Sequence, residues 1–283
     1  MTLLPSTTED SRPHVRPGVN LRAVRSSAGL APGHLLRSGD ITALTPYEAE
    51  HLVAQYGLGA VVDLRSDAEV LRYGPPHALL GAGVRWIRCP LGGYPRDVIQ
   101  AHRPTAAQRA DYLWGILTRA EPGCWARLIR ALAAAARDPI LVTCHFGKDR
   151  TGIVVACLLA LVGVPDEDIA ADYADGAADL LAKVDRFAEK WLRKGHSRQD
   201  YLSRMRTSPE TMSRLLPRLH SDPAGVRGVL VGVGADPEEL GLLAGHLSAG
   251  GGDPARDHAG SVVIDTDSGP HRPIADPLPP TIP

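Results

Sequence analysis

The residues with the clearest chemical potential are Cys144 and Arg150, which stand six positions apart in one short segment. The apolar run at 139–143 before them predicts a buried strand, and the apolar stretch at 151–162 after them predicts a helix. Gly147 lets the backbone turn between the two. Successive N–H groups in such a turn, ahead of a helix N-terminus, form a concave site for an anion. The pattern therefore predicts a phosphate-binding loop.

The residue types in this loop indicate nucleophilic chemistry. The positive field that binds an anion also stabilises a thiolate, which is the nucleophilic form of cysteine. The guanidinium of Arg150 can hold a phosphate through two parallel N–H···O bonds. The same spacing occurs at Cys124 and Arg130, but inside an amphipathic helical pattern without glycine, and we interpret that pair as structural. Cys144 is therefore the candidate nucleophile, and Arg150 is the candidate phosphate-binding residue.

Strands alternate with helices on both sides of the loop. The strongest helix start is the N-cap Thr45, followed by Pro46 and the capping-box residue Glu48. Because short apolar runs alternate with amphipathic stretches, we predict an α/β fold with a mainly parallel central sheet flanked by helices. The predicted strands are 60–64, 84–89 and 139–143, and the main predicted helices are 46–56, 105–118, 123–137, 151–162, 209–220, 223–231 and 236–247.

Composition restricts the class of protein. The 283 residues include 31 basic and 32 acidic side chains, and a net charge of −1 gives no reason to expect nucleic acid as a partner. Four cysteines in a chain of this length do not build a disulfide scaffold, which favours a reducing, cytoplasmic location. We find neither a secretory signal nor an apolar run long enough for a bilayer, so we expect no stable membrane insertion. Export without a signal, and the oligomeric state, are left open.

Both ends of the chain differ from the middle. Residues 1–17 mix Ser, Thr, Pro and charge without periodicity, and residues 248–283 contain seven prolines and five glycines. Segments of this composition bury too little apolar surface to offset the entropy lost on ordering. We therefore predict a disordered N-terminal segment, one domain at 18–247 and a disordered Pro/Gly-rich tail.

Cys-x5-Arg-Thr-Gly between a strand and a helix resembles the active-site loop of the protein tyrosine phosphatase superfamily. The longer form at 147–152, Gly-Lys-Asp-Arg-Thr-Gly, resembles a bacterial branch of tyrosine phosphatases, and the resemblance extends over roughly residues 18 to 247. It implies a tyrosine-phosphatase-like fold with an added helical lid. The supporting matches are Asn20-Leu21-Arg22, Arg37-Ser38-Gly39-Asp40, Val62-Asp63-Leu64-Arg65 with Glu69, and Val164-Pro165-Asp166 with Asp172-Tyr173-Ala174.

The resemblance implies metal-independent hydrolysis of phosphomonoesters without a cofactor. Cys144 would attack phosphorus and form a phosphocysteine, which water then hydrolyses, while Arg150 and the loop amides neutralise the phosphoryl charge. The implied substrates are phosphotyrosine in proteins and, as further classes, phosphoinositide lipids or small phosphoesters. The loop residues expected to contact the substrate are His145, Phe146, Gly147, Lys148, Thr151 and Gly152.

The proton donor for the leaving group has two candidates. Asp149 lies inside the loop, and relatives with Lys-Asp-Arg there suggest it. Asp63 ends a predicted strand, at the sheet edge that faces the ligand crevice in α/β folds. An ion pair of Asp63 with Arg65 or Arg37 is the alternative interpretation of that residue.

Two positions depart from the family pattern. The family usually has histidine directly before the nucleophile, where it supports the loop, and this chain has Thr143. The aspartate that commonly follows Asn-x-Arg is replaced by Ala23. These departures make a phosphate-binding pseudophosphatase one alternative function. A phosphatase of a small metabolite in a biosynthetic pathway is another.

Charges near the loop indicate the kind of substrate. Lys148 and His145 would add positive charge beside Arg150, which suits a ligand with more than one phosphate; alternatively, the lysine points to solvent and the histidine packs. Phe146 would form an apolar wall or pack on the sheet. Residues 177–206 carry eight Lys or Arg against four Asp or Glu. We expect this basic stretch to be a lid, with a solvated helix face as the alternative.

Overall fold

A five-stranded sheet organises the molecule, for which the computed structural model describes residues 18–92 and 104–249. The strands are β1 (Arg22–Ala23), β2 (Leu35–Ser38), β3 (Ala60–Asp63), β4 (Arg85–Arg88) and β5 (Ile140–Thr143). Strands β2, β5, β3 and β4 are parallel neighbours in that spatial order, and β1 pairs antiparallel with β2 at the edge. The predicted mainly parallel sheet is therefore confirmed.

Helices flank this sheet, and every helix range named from the sequence is present with ends within two residues of those expected. The hydroxyl of Thr45 accepts from the Glu48 amide at 3.2 Å, as the capping box requires. The helices are α1 (Pro46–Tyr56), α2 (Asp67–Tyr73), α3 (His77–Gly81), α4 (Ala106–Thr118), α5 (Cys124–Ala135), α6 (Asp149–Leu161), α7 (Asp166–Ala182), α8 (Ala188–Arg193), α9 (Arg198–Met205), α10 (Pro209–Leu219), α11 (Gly225–Gly232) and α12 (Pro237–Leu247), with a 3₁₀ turn at Val184–Phe187.

Alternate residues of the sheet enter two apolar layers. Val62 and Val142 belong to the larger layer, with side chains of α4, α5 and α6. Val61 and Leu141 belong to the other, with α1 and α3. Strand β5 is therefore buried on both faces and hydrogen-bonded on both edges, which makes it a fixed base for the loop that follows it.

The predicted lid segment, 177–206, is not one continuous helix. It contains the end of α7, the 3₁₀ turn, α8 and α9, and its apolar side chains form a third cluster apart from the two layers on the sheet. Phe187, Trp191 and Tyr201 are at most 6% exposed within it. The segment therefore buries several of its apolar side chains, in a cluster that also contains Val19 and against which Phe146 of the loop packs.

The predicted disordered ends fall largely outside the described residues, since 1–17 and 250–283 lie beyond them. Ser248 and Ala249 of the predicted tail are described, and the Ala249 amide donates to the Gly29 carbonyl at 3.0 Å. Within the described ranges, no helix has the length and apolarity needed to cross a bilayer.

Candidate active site

The loop between β5 and α6 borders a cavity of about 830 Å³. Cys144 directly follows β5 and lines this cavity, although only 2% of its surface is exposed. The strand that delivers it is central, so the thiol stands at the carboxyl edge of the sheet, where α/β proteins bind their ligands. The loop residues that line the cavity with it are Phe146, Lys148, Asp149 and Arg150.

Gly147 gives the loop its sharp turn. Its φ is +64°, and a Cβ at this position would lie 2.4 Å from the amide nitrogen of Gly39. The loop thus packs on the backbone after β2 more closely than any side chain permits. Thr143, which stands where the family usually has histidine, donates its hydroxyl to the Gly39 carbonyl at 2.7 Å. This threonine therefore ties the same two segments together without a charge.

The start of α6 leaves backbone donors at the loop. The first bond into the helix runs from the Gly152 amide to the Lys148 carbonyl, at 2.7 Å. The amides of Asp149, Arg150 and Thr151 precede this bond and belong to the helix turn that lacks intrahelical acceptors. These donors and the dipole of α6 favour an anion beside the thiol.

Arg150 is held in place by Glu69. Its Nη1 and Nη2 donate to Oε2 and Oε1 of that carboxylate, each at 2.7 Å, and Nη1 also donates to the Leu64 carbonyl at 3.0 Å. Burial raises the pKa of Glu69, but the hydrogen bonds and charge of Arg150 outweigh it and hold the pKa well below its usual range. The ion pair of Glu69 with Arg150 was not predicted from the sequence. The one sequence pattern at this residue is the capping box that Glu69 forms with Ser66, in the segment directly after β3.

Basic side chains dominate the described lining of the cavity, eight against two carboxylates. The ammonium of Lys190, on α8, lies 4.5 Å from the centroid of the Phe146 ring. Burial lowers the pKa of Lys190, Glu69 opposes the shift and Arg150 adds to it, which leaves the pKa at about 7. The eight are Arg72, Arg109, Lys148, Arg150, Lys190, Arg193, Lys194 and Arg204, and the carboxylates are Glu69 and Asp149.

The two candidate proton donors have different environments. Asp149 lines the cavity, and its Oδ1 lies 2.7 Å from the ammonium of Lys148, a buried lysine whose pKa is lowered by that burial. Asp63 is fully buried, accepts from Arg65 at 2.7 to 3.0 Å and from Trp86 at 3.1 Å, and does not line the cavity. Of the two candidates, Asp149 is therefore the one whose carboxylate reaches the cavity, whereas Asp63 lies in a buried ion pair away from it.

His145 does not add charge to the cavity, contrary to the expectation from sequence. Its ring is 3% exposed and stacks 4.6 Å from Tyr73, with Phe146 and Phe187 at 4.7 and 5.3 Å. Burial, followed by the charge of Lys190, lowers the pKa of His145 to about 3, so the ring is neutral at physiological pH. The packing interpretation of this histidine is therefore the one that holds.

Three further residues expected to contact the substrate lie outside the cavity lining. Gly147 faces Gly39, Thr151 is fully buried, and Gly152 packs so closely on Tyr173 that a Cβ would lie 2.9 Å from its ring. These three positions pack within the protein and support the loop, but do not line the cavity.

A thiol at the end of a central parallel strand, directly before the first turn of a helix, is placed as the nucleophile of a cysteine-dependent phosphatase must be. The chain belongs to the tyrosine phosphatase family, whose sequence pattern matches residues 15–249. It is 28% identical over 263 residues to the triple specificity protein phosphatase PtpB of Mycobacterium tuberculosis, covering 82% of this chain and 91% of that one. It is 26% identical over 249 residues to a tyrosine-protein phosphatase of Nostoc commune, covering 84% and 83%.

Two solved structures are also similar. One is TpbA of P. aeruginosa in complex with pTyr, with 20% identity, a TM-score of 0.30 and coverage of 65% of this chain and 94% of that one. The other is the catalytic domain of the PP-IP phosphatase SIW14 from S. cerevisiae, with 17% identity, a TM-score of 0.31 and coverage of 71% and 93%. The family assignment rests on the match over residues 15–249.

Proposed function

We propose that this chain hydrolyses phosphomonoesters, phosphotyrosine among them, with Cys144 as nucleophile and Arg150 as phosphate ligand. The observation that carries the proposal is the placement of both side chains on one cavity, beside the amides that open α6. Asp149 is the proton donor in this scheme, since it is the only aspartate among the described residues of the lining.

The proposed reaction has two steps. The Cys144 thiolate attacks phosphorus in line, the ester P–O bond breaks, and the leaving oxygen takes a proton from Asp149. Water then attacks the phosphocysteine, the S–P bond breaks and inorganic phosphate leaves, with Asp149 accepting the proton from water. Arg150 and the loop amides stabilise the charge on the equatorial oxygens in both steps.

The cavity favours a substrate with negative charge beyond the reacting phosphate. Its eight basic side chains exceed what one phosphate needs, and Phe146 offers an apolar wall for the ring or chain of the leaving group. The name of the mycobacterial relative, a triple specificity protein phosphatase, supports a broad range of phosphorylated substrates here. A phosphoinositide or a phosphotyrosine next to acidic residues fits this description, and a small phosphorylated metabolite remains the alternative.

We also infer that the predicted lid, 177–206, covers the site through its part at 184–206. Lys190, Arg193 and Tyr201 line the cavity from this segment, whose own apolar cluster holds it together. A cytoplasmic location suits the scheme, because a reducing compartment keeps the thiol usable; all four cysteines are free.

Phosphate release is the direct test. We expect release from a phosphotyrosine peptide and a phosphoinositide panel, none from Cys144→Ser, and a trapped phosphocysteine after acid quench of the wild type. A matched control is Cys157→Ser, because that thiol is buried in α6 and burial raises its pKa. Tight phosphopeptide binding without release would instead establish a pseudophosphatase, and release surviving Cys144→Ser would refute the mechanism.

A further inference from the structure

The carbonyl of Gly147 accepts hydrogen bonds from two buried side chains that have no part in the proposed chemistry. Asn20 Nδ2 donates to it at 2.7 Å and Arg37 Nη2 at 2.9 Å. Asn20 is 3% exposed and Arg37 is 1% exposed, and neither lines the cavity. Since a carbonyl oxygen has two lone pairs, these two donors occupy its full accepting capacity.

The two donors also fix the next amide in the loop. Because a peptide unit is planar and trans, the C=O of Gly147 and the N–H of Lys148 point in opposite directions. Holding the carbonyl toward Asn20 and Arg37 therefore turns the Lys148 amide the other way. We propose that Asn20 and Arg37 are positioning residues that aim the Lys148 amide at the phosphoryl group. This inference rests on the proposed function.

One face of α7 holds both positioning residues. Asp172 forms an ion pair with Arg37, and Asp179 accepts from the Asn20 backbone amide at 2.6 Å. Gly176, on the same helical face, leaves room for the Asn20 amide group: a Cβ there would lie 2.7 Å from its Oδ1 and 2.9 Å from its Nδ2. Asn20 itself has φ +54°, a left-handed conformation that this contact network maintains.

The substitution Gly176→Ala, on α7, tests the positioning role of Asn20 without changing a residue of the loop. The new methyl group displaces the Asn20 side chain, which supplies the three atoms nearest to its position. Alanine is a better helix former than glycine, so α7 itself is not weakened. We expect kcat/KM to fall on the order of tenfold to hundredfold, as for other small misplacements of a catalytic group. We expect the inhibition constant of inorganic phosphate to rise in parallel, and the Lys148 amide NMR resonance to shift less when phosphate is added.

Two further variants distinguish a loss of positioning from a general effect of the substitution on folding. Gly115→Ala is the matched control, because it is also a buried helical glycine but its Cβ would have no neighbour within 4 Å. Asn20→Gly keeps the left-handed backbone and removes the donor. In that background Gly176→Ala has nothing to displace, so the double variant should lose no more activity than Asn20→Gly alone.

The outcomes are distinct. Parallel losses in kcat/KM and phosphate affinity at an unchanged Tm, together with non-additivity, establish the positioning role. Unchanged phosphate affinity in both Gly176→Ala and Asn20→Gly, or losses that add in the double variant, overturn it while leaving the proposed function intact. A wild-type protein that neither binds nor releases phosphate overturns both.

Discussion

The carboxylate of Asp149 faces the cavity beside one lysine, whereas that of Asp63 is enclosed by Arg65 and Trp86. We therefore expect Asp149→Asn to lower kcat for a phosphotyrosine peptide by about 10²- to 10⁴-fold, the usual contribution of a general acid. The loss should shrink for an aryl phosphate whose leaving group needs no proton. Steady-state rates on the two substrates measure this.

Asp63→Asn is the matched control for that experiment. It should leave kcat per folded molecule unchanged and lower the free energy of unfolding by about 3–5 kcal/mol, because it leaves the buried Arg65 without its counter-charge. Denaturant unfolding measures the second effect. A large loss of kcat in folded Asp63→Asn would contradict the assignment of the proton donor.

Lys190 gives the site a pH dependence of its own. Its pKa of about 7 means that the ammonium is charged below neutrality and loses its charge as the pH rises through 7. We expect the inhibition constant of a multiply phosphorylated competitor to rise between pH 6 and 8 in the wild type. Lys190→Arg, which keeps its charge, should show a flatter profile; identical profiles would contradict the prediction.

The same shift has a consequence for stability with a definite sign. The unfolded lysine binds its proton up to about pH 10.4, whereas the folded one releases it near 7. Between these values the unfolded state binds more protons at this site, so the contribution of Lys190 to the free energy of unfolding rises with pH in that window and is lowest below it. Lys190→Met should remove this contribution from the pH dependence of Tm.

The placement of some residues at the cavity could be predicted from sequence, and that of others could not. The loop motif identified Cys144 and Arg150 because strand, glycine and helix surround them in a single stretch. The burial of His145 could not be read from the same stretch, because Tyr73 and Phe187, which enclose it, come from other parts of the chain.

At the scale of elements, the proposed lid contributes most of the third apolar cluster, and we therefore expect it to open without the sheet. Trp191→Ala removes the largest side chain of this cluster. We expect amide exchange to increase at 184–206 and to remain slow in β5, with KM rising more for a phosphoinositide than for a small aryl phosphate. Uniformly faster exchange across the sheet would contradict an independent lid.

Amphipathic and apolar elements were predictable, and elements without such a pattern were not. The sequence identified β3, β4 and β5 but did not identify β1 or α3. It also did not identify β2 and α2, which matter more for the site. Strand β2 is fully buried, yet it contains the charged residue Arg37, which interrupts the apolar pattern of the strand. The ion pair with Asp172 offsets the cost of burying this charge. Helix α2 has no buried residue and so no amphipathic period, although it supplies Glu69.

At the scale of the whole molecule, the cavity joins parts of the chain that lie far apart. Its described lining comes from 66–73, 104–112, 144–150 and 190–205. The mainly parallel sheet was predictable, since alternating strands and helices favour it. The cavity was not, because its shape depends on contacts between segments separated by tens of residues, which local patterns do not encode.

The central position of β5 has a practical consequence for redesign. The proposed nucleophile Cys144 directly follows the strand that the sheet holds on both edges and both faces, whereas Lys190, Arg193 and Tyr201 reach the cavity from the segment that contributes most of the third apolar cluster. We therefore expect substitutions at the cavity-lining residues of 184–206 to change substrate preference more than they change the rate of the chemical step.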